Sequence, residues 1–538
     1  MSNRPIVPDT LAAAKHPPEY RLHKYWARKP ANVVAAFLRG LVPAGRRVLD
    51  PFCGSGVVLA EARALGLPAT GIDLNPAAAL LADMTANPPH PSAFFPALES
   101  FLARCQQRLA PLYRLPDGTA SRYCVHAGIV ICPGCGARVS AWTIRAQGRT
   151  RRCPACGAQL RFNLATLDGT DVVEVVTAEG VRLRDAAILA QQQAAAYAPY
   201  DASPGASWHA VPFLPNGRIL AWDGLQVADL FTPRNGQAAL LLREDIMRIA
   251  PPDQQTPLLT LLTATLAGMS RLIAYRDGLR GGGPAWSVPG FWVAPVHIEH
   301  NPLPLLKSRA GRFRRGIERL AARLEEGPPA RVIRASAQDA LADLARHGER
   351  FDLIFLDPAY GDNVPYLEFS ALWNAFLGRA PEYAQEVVVS NRTVEAADWA
   401  AYEARLGEAV ARCVDVLAPE GSVLVTFNNL DGRAWAALLR ALHGENLRCE
   451  SVHYVAPAVI SAKAQFSPDG SYQGDFWCVF RRGALPDVPE SRWASIWQAA
   501  IPAGLADPQR RRRMALRAIL EANLPAEAVL KISNSGDF

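Results

Sequence analysis

Short apolar runs alternate with amphipathic stretches over much of this 538-residue chain. Residues 351–356, Phe-Asp-Leu-Ile-Phe-Leu, are almost unbroken apolar, the pattern of a strand buried on both faces. Residues 46–50 and 69–74 read as further short strands, and 57–65 between them has helical composition. Further on, 331–341 reads as a strand ending near Asp339, 405–417 as a helix and 419–429 as a buried strand. The stretches 434–443, 447–456 and 475–482 then read helix, strand, strand. Strands alternating with helices predict the α/β class, a doubly wound and mainly parallel sheet whose ligands sit at the carboxyl ends of its strands.

The alternation breaks in the middle of the chain. A β-rich piece at 172–184 and helical patterns at 185–197 and 236–276 occupy a stretch far too long for a loop. The pattern divides the chain into 1–86 and 329–484 (two halves of one core), an insertion at 87–328, and a basic helical tail at 485–538. The Pro-rich stretch 87–96 marks the way into the insertion.

Composition then narrows the class. With 50% hydrophobic and 20% charged residues the chain reads as soluble and globular. No apolar run approaches the roughly 20 residues of a membrane span, and the N-terminus lacks a signal-peptide core, so a cytoplasmic protein without a membrane partner is expected. A net charge of +7 fits a polyanionic partner without requiring one. Two segments concentrate the charge question. Arg510–Arg513 stand ahead of a helical pattern, where cations oppose the helix dipole unless a phosphate or acid compensates them. The basic, Gly-rich stretch 276–286 is either a loop that follows nucleic acid or a linker.

Four of the 10 cysteines form two C-x-x-C pairs, Cys132 with Cys135 and Cys153 with Cys156, separated by the 17 residues 136–152. That spacing is the signature of a four-thiolate zinc ribbon at about 120–165, and a closed set of four thiolates makes the zinc structural. Gly136 and Gly157 follow each pair and allow the tight turn around the metal. Cys124 and His126, just upstream, are either surplus ligands or ordinary packing residues, and the second reading is preferred.

The chemistry-bearing loops lie outside the ribbon. Residues 46–76 read strand, Gly loop, helix, strand, with Gly54 and Gly56 in the loop, Asp50 ending the first strand and Asp73 ending the second. An acid about 20 residues beyond such glycines can accept hydrogen bonds from both hydroxyls of a ribose. The dinucleotide fingerprint would require a third glycine where this chain has Leu59. The run at 351–356 ends in Asp357-Pro358-Ala359-Tyr360.

Asp50-Pro51-Phe52-Cys53-Gly54-Ser55-Gly56 resembles motif I of the S-adenosylmethionine-dependent amino-methyltransferases. Asp357-Pro358-Ala359-Tyr360 resembles their motif IV, with alanine where a second proline is usual. The segments 23–30 and 296–313 further resemble the adenine-specific DNA methylases that contain a Zn-ribbon.

The resemblance implies a Rossmann-like class I methyltransferase core. It implies S-adenosylmethionine held by Asp50, Pro51, Phe52, Gly54, Gly56, Asp73 and Asp339. Lys29 and Pro30 would close over the cofactor, or else belong to a strip touching phosphates. Asp357 and the Pro358 carbonyl would accept the two N–H groups of an exocyclic amine, while Tyr360 stacks on a base flipped from the helix. The implied partner is DNA methylated at adenine N6, with cytosine N4, RNA and a non-catalytic nucleic-acid-binding protein as alternatives. A restriction or defence partner protein also fits. Cytosine C5 chemistry is excluded by the absence of a Pro-Cys nucleophile at motif IV.

Overall fold

The computed structural model describes residues 11–534 apart from 149, 163–165, 201–210, 215–218, 220–223, 277–289, 393 and 459–473. Seven strands form the main sheet: β1 (Val48–Asp50), β2 (Ala69–Asp73), β3 (Arg331–Arg334), β4 (Phe351–Leu356), β5 (Leu417–Phe427), β6 (Leu447–Val455) and β7 (Asp475–Arg482). Their order is β3-β2-β1-β4-β5-β7-β6. The first five are parallel, and β7 runs antiparallel between β5 and β6. Strand order reverses between β1 and β4, which opens a crevice at their carboxyl ends. This is a doubly wound, Rossmann-like sheet, as the alternating pattern predicts.

Successive side chains of a strand point to opposite faces, so the apolar run of β4 feeds two cores. Leu353 and Phe355 join the helices Ala31–Leu41, Val57–Ala64, Pro252–Met269 and Pro302–Leu324 on one face. Ile354 and Leu356 join Ala337–Arg346, Trp399–Val416, Gly432–Gly444 and Pro508–Glu521 on the other. A parallel sheet must be covered on both faces. The middle of the chain supplies much of one cover, through Phe94, Leu261, Leu306 and Phe313, and the C-terminal helices help supply the other, through Leu516, Ile519 and Val529.

A second sheet is built on Ser121–Ile131, which pairs antiparallel with Arg138–Ser140, Gly169–Thr177 and Val296–His300. The strand near 331 stops at Arg334, short of Asp339. Ser336 caps the next helix, its Oγ accepting the Asp339 amide at 3.1 Å, so Asp339 sits in the first turn of a helix. The arginine run also lies differently from expectation. Arg510–Arg513 fall inside the helix Pro508–Glu521, which Asp507 caps by accepting the Arg510 amide at 3.2 Å. Residues 277–286 of the Gly-rich stretch lie outside the described residues. No helix among the described residues is long and apolar enough to cross a membrane.

Candidate active site

Three carboxylates converge on the crevice: Asp50 ends β1, Asp73 ends β2 and Asp357 follows β4. The Gly loop lies between the first two. Gly54 and Gly56 have φ of +51° and +78°, left-handed values that suit glycine. Gly56 is doubly constrained, because a Cβ there would lie 2.6 Å from the backbone of Ala82. The loop is tied to β2 by Asp73, whose carboxylate accepts the amides of Gly54 and Asn75, each at 2.8 Å. Burial pushes the Asp73 carboxyl up to about 7, against the pull of those two N–H donors. Asp50 is pushed well above the usual carboxylate range by burial, and the charge of Asp357 adds to it.

These groups wall a concave cavity at the carboxyl ends of the strands, the usual place of a small-molecule site in such a sheet. Asp50, Pro51, Phe52, Gly54, Asp73 and Asp357 line it. Its outer wall is the N-terminal strap, residues 25–29. Tyr25 covers the loop so closely that a Cβ on Gly54 would lie 3.1 Å from its ring. Arg28 donates to Ser55 Oγ at 3.0 Å and to the carbonyls of Tyr20 and His23. Among the described residues no carboxylate pairs with this guanidinium, and burial lowers it to about 10.

Asp357 is held by three side chains. Its Oδ1 accepts Thr426 Oγ1 at 2.6 Å and Tyr360 OH at 3.0 Å, and lies 3.1 Å from Lys29 Nζ. The same ammonium lies 2.9 Å from Asp475 Oδ2 and also donates to Tyr360 OH. Burial raises the Asp357 carboxyl above its ordinary value, and Lys29 and Thr426 offset only part of the rise. The Tyr360 ring packs 4.8 Å from Phe427, and Asn429 Nδ2 donates to the Tyr360 carbonyl at 2.7 Å. Tyr360 faces a second, open cleft together with Lys15, His16, Arg21, Asn363 and Asp475. Ala27, Arg28 and Lys29 line both spaces, so the strap is the partition between them.

Most residues singled out in the sequence thus gather at one place. Pro30 lies on the side of the second cleft, Pro358 is buried and lines neither space, and Asp339 is exposed, held by Ser336 and Gln385, next to the lining residue Gln338. The sequence reading missed Tyr25, Arg28, Thr426 and Asp475. Arg28 and Tyr25 stand in the aromatic-basic strip 23–30, and Asp475 opens a strand, which is also where ordinary caps stand.

The four ribbon thiols converge as their spacing predicts. All four Sγ atoms lie within 4.8 Å of one another, with Cys132–Cys156 at 3.5 Å and Cys135–Cys153 at 3.7 Å. Four sulfurs bound tetrahedrally at ~2.3 Å would be about 3.8 Å apart, so the set fits one metal ion with little movement. Each knuckle is closed by the same backbone bonds: Cys132 N to Ala137 O and Cys153 N to Ala158 O, both 2.8 Å. Cys124 and His126 belong to neither knuckle. His126 pairs with buried Glu299 at 3.0 Å, and Cys124 lies 3.4 Å from Arg234.

Residues 8–83, which carry the strap, the Gly loop and Asp73, match the family model of the N6/N4 methylases, described as DNA methylase. The match supports a methyltransferase. No curated protein matches the chain. Solved structures with some likeness include a methyltransferase homolog protein from Pyrococcus horikoshii, 14% identical with a TM-score of 0.19, over 32% of this chain and 51% of that one. Another is SMU.776 complexed with SAH, 9% identical with a TM-score of 0.19, over 33% of this chain and 42% of that one. The chain spans about half the length of these structures, and likenesses this distant carry no argument.

Proposed function

We propose that the protein transfers a methyl group from S-adenosylmethionine to an exocyclic amine of a DNA base, adenine N6 before cytosine N4. The observation that carries the reading is the position of Asp357. It stands at the carboxyl end of β4, against a cavity walled by the Gly loop and Asp73, with Tyr360 beside it facing an open cleft.

The residues present suit that cofactor. Asp73 would accept the ribose hydroxyls, the loop at Gly54 and Gly56 admits close backbone approach, and Arg28, which pairs with no carboxylate among the described residues, would suit the carboxylate of the methionine part. When bound, the cofactor supplies a methyl group already activated on a sulfonium. The protein's own task is to make the amine a nucleophile and to hold it in line. The lone pair of an aromatic amine is delocalised into its ring. Asp357 and the Pro358 carbonyl, each accepting one N–H, would favour the pyramidal nitrogen. Tyr360 would stack on the extruded base. Burial raises the proton affinity of Asp357, which also suits it to take the proton that the methylated nitrogen sheds. The four thiolates would hold one structural zinc ion.

The test is to incubate the protein with tritiated S-adenosylmethionine and unmethylated DNA, or RNA, and to analyse the digested nucleosides. N6-methyladenine from DNA is expected. N4-methylcytosine, or label in RNA alone, would redirect the substrate assignment. No transfer and no cofactor binding would leave a non-catalytic nucleic-acid-binding protein.

A further inference from the structure

Lys29 occupies the place that this reading gives to the substrate. Its Nζ contacts Oδ1 of Asp357, the carboxylate assigned to the target amine, and the side chain is 7% exposed. An ammonium out of water is costly unless it is paired. Here it is paired twice, with Asp357 and with Asp475, so it can give up one carboxylate and keep the other.

Seen from Asp357, the arrangement is lopsided. The groups facing it are Lys29 from the strap, the hydroxyls of Thr426 on β5, Tyr360 on its own loop and Tyr366 beyond it, and the carboxylates of Asp475 on β7 and Asp50 on β1. Lys29 is the one cation in that set. Without it, among the described residues, Asp357 would face only hydroxyls and negative charge, which favours the protonated form, and a protonated carboxyl offers the amine a donor where an acceptor is needed.

We propose that Lys29 is a positioning residue that keeps Asp357 a charged acceptor and yields its place at Oδ1 to the target amine, retained meanwhile by Asp475. The proposal rests on the amine-methylation reading of this site. It also gives the strap a second task. The segment whose Tyr25 covers the Gly loop carries, four residues later, the cation that fills the acceptor, so one short stretch of chain touches the cofactor side and the substrate side together.

The experiment compares pH profiles of kcat/KM for the whole protein, with tritiated S-adenosylmethionine and DNA from a host lacking adenine methylation. Lys29→Met should move the acid limb up by about 1–3 pH units, the usual effect of losing an opposite charge at this range. Asp475→Asn should move it down. The double variant, which removes one charge of each sign, should bring it back toward wild type. A limb that stays put in Lys29→Met while activity or melting temperature falls would reduce Lys29 to a structural ion pair and overturn the proposal. Should Lys29→Met fail to fold, Asp475→Asn decides alone, because an unmoved limb there also overturns it. Infrared difference spectra between wild type and Asp357→Asn follow the same carboxyl without turnover. A protein that methylates nothing would refute the amine reading, while the infrared titration would still test the pairing of Lys29 with Asp357.

Discussion

The ribbon and the acceptor site are both small constellations of charged or metal-seeking groups, but they are built on opposite principles. The ribbon draws its four thiols from residues 132–156, and two copies of one local turn present them. Asp357 draws its partners from positions 29, 360 and 426, and Lys29 draws its second carboxylate from 475, groups that only the completed sheet brings together. The ribbon's own core is slight (Val130, Val139, Ile144 and Leu160 around two of the thiols). A cluster of that size does not hold a fold by burial alone, so on the proposed reading a metal held by the four thiolates would supply much of its stability. The acceptor rests instead on a sheet covered on both faces. One site is written in spacing and suited to an ion. The other is written in topology and held by packing.

The sharpest way to break that contrast is to strip the metal. Structural zinc is worth on the order of 10 kcal/mol to a small domain. Chelation, or Cys135→Ser, should therefore expose 130–160 to fast hydrogen exchange while 351–366 keeps its protection and cofactor binding persists. If exchange rises in both regions together, the ribbon supports the core and the two are not independent. The reciprocal test is Asp357→Ala. Turnover should fall by roughly 10²–10³ or more, the scale of losing one group that acts on developing charge. Zinc content, cofactor affinity and melting temperature should stay near wild type. A strand-end carboxylate that served only as a cap would do the reverse, costing stability without a selective loss of rate. Ala359→Pro should remain active, since it leaves both acceptors in place.

The same contrast explains what was legible. The sheet was readable because short apolar runs, spaced by helical stretches, leave few other arrangements, and the Gly loop and Cys pairs were readable because their geometry is local. Lys29 and Asp475 lie 446 positions apart in sequence, and nothing near either one announces the other. Asp339 was placed on a strand because the Ser336 cap three residues before it went unread. Arg512 did carry a signal. With Leu516 and Ile519 it makes an i, i+4, i+7 stripe, the pattern of a buried helix face, and the structure buries it with a bond to the Leu430 carbonyl.

Asp73 sharpens the comparison within the distributed site. Asp73→Ala removes an acceptor for the ribose and should weaken cofactor binding by about 1.5–3 kcal/mol, with metal content unchanged. The pH dependence is more specific. The Asp73 carboxyl is raised by burial to about 7, so the folded state holds a proton there that the unfolded chain, with a carboxyl near 3.9, has already lost. Through this group stability should fall as pH rises from about 4 to 7, because the native state binds more protons. Cofactor affinity should run the other way, weakening by up to about tenfold per pH unit below 7, since the ribose needs the charged form. Asp73→Asn should flatten both dependences in calorimetry. Opposite slopes that survive in Asp73→Asn would move the assignment to another carboxylate.

The smallest effect is expected from the arginine run. Each phosphate contact adds about 0.9 to the salt slope of DNA binding, so a charge that truly meets the backbone is countable. Arg510–Arg513 invite that role by their composition, but the fold has already spent part of them. Arg512 is buried, Arg513 packs over the Tyr454 ring at 4.4 Å, and Arg511 donates to the Leu505 carbonyl at 3.3 Å. The cost of cations at a helix N-terminus is also met internally, because Asp507 caps the helix with its own carboxylate. No phosphate is needed to explain them. Arg510→Gln should therefore leave the slope of log K against log salt unchanged within about half a contact, whereas Arg512→Met should lower the melting temperature. A slope that drops by about one on neutralising Arg510 would place this helix on the DNA and extend the distributed site to the far end of the chain.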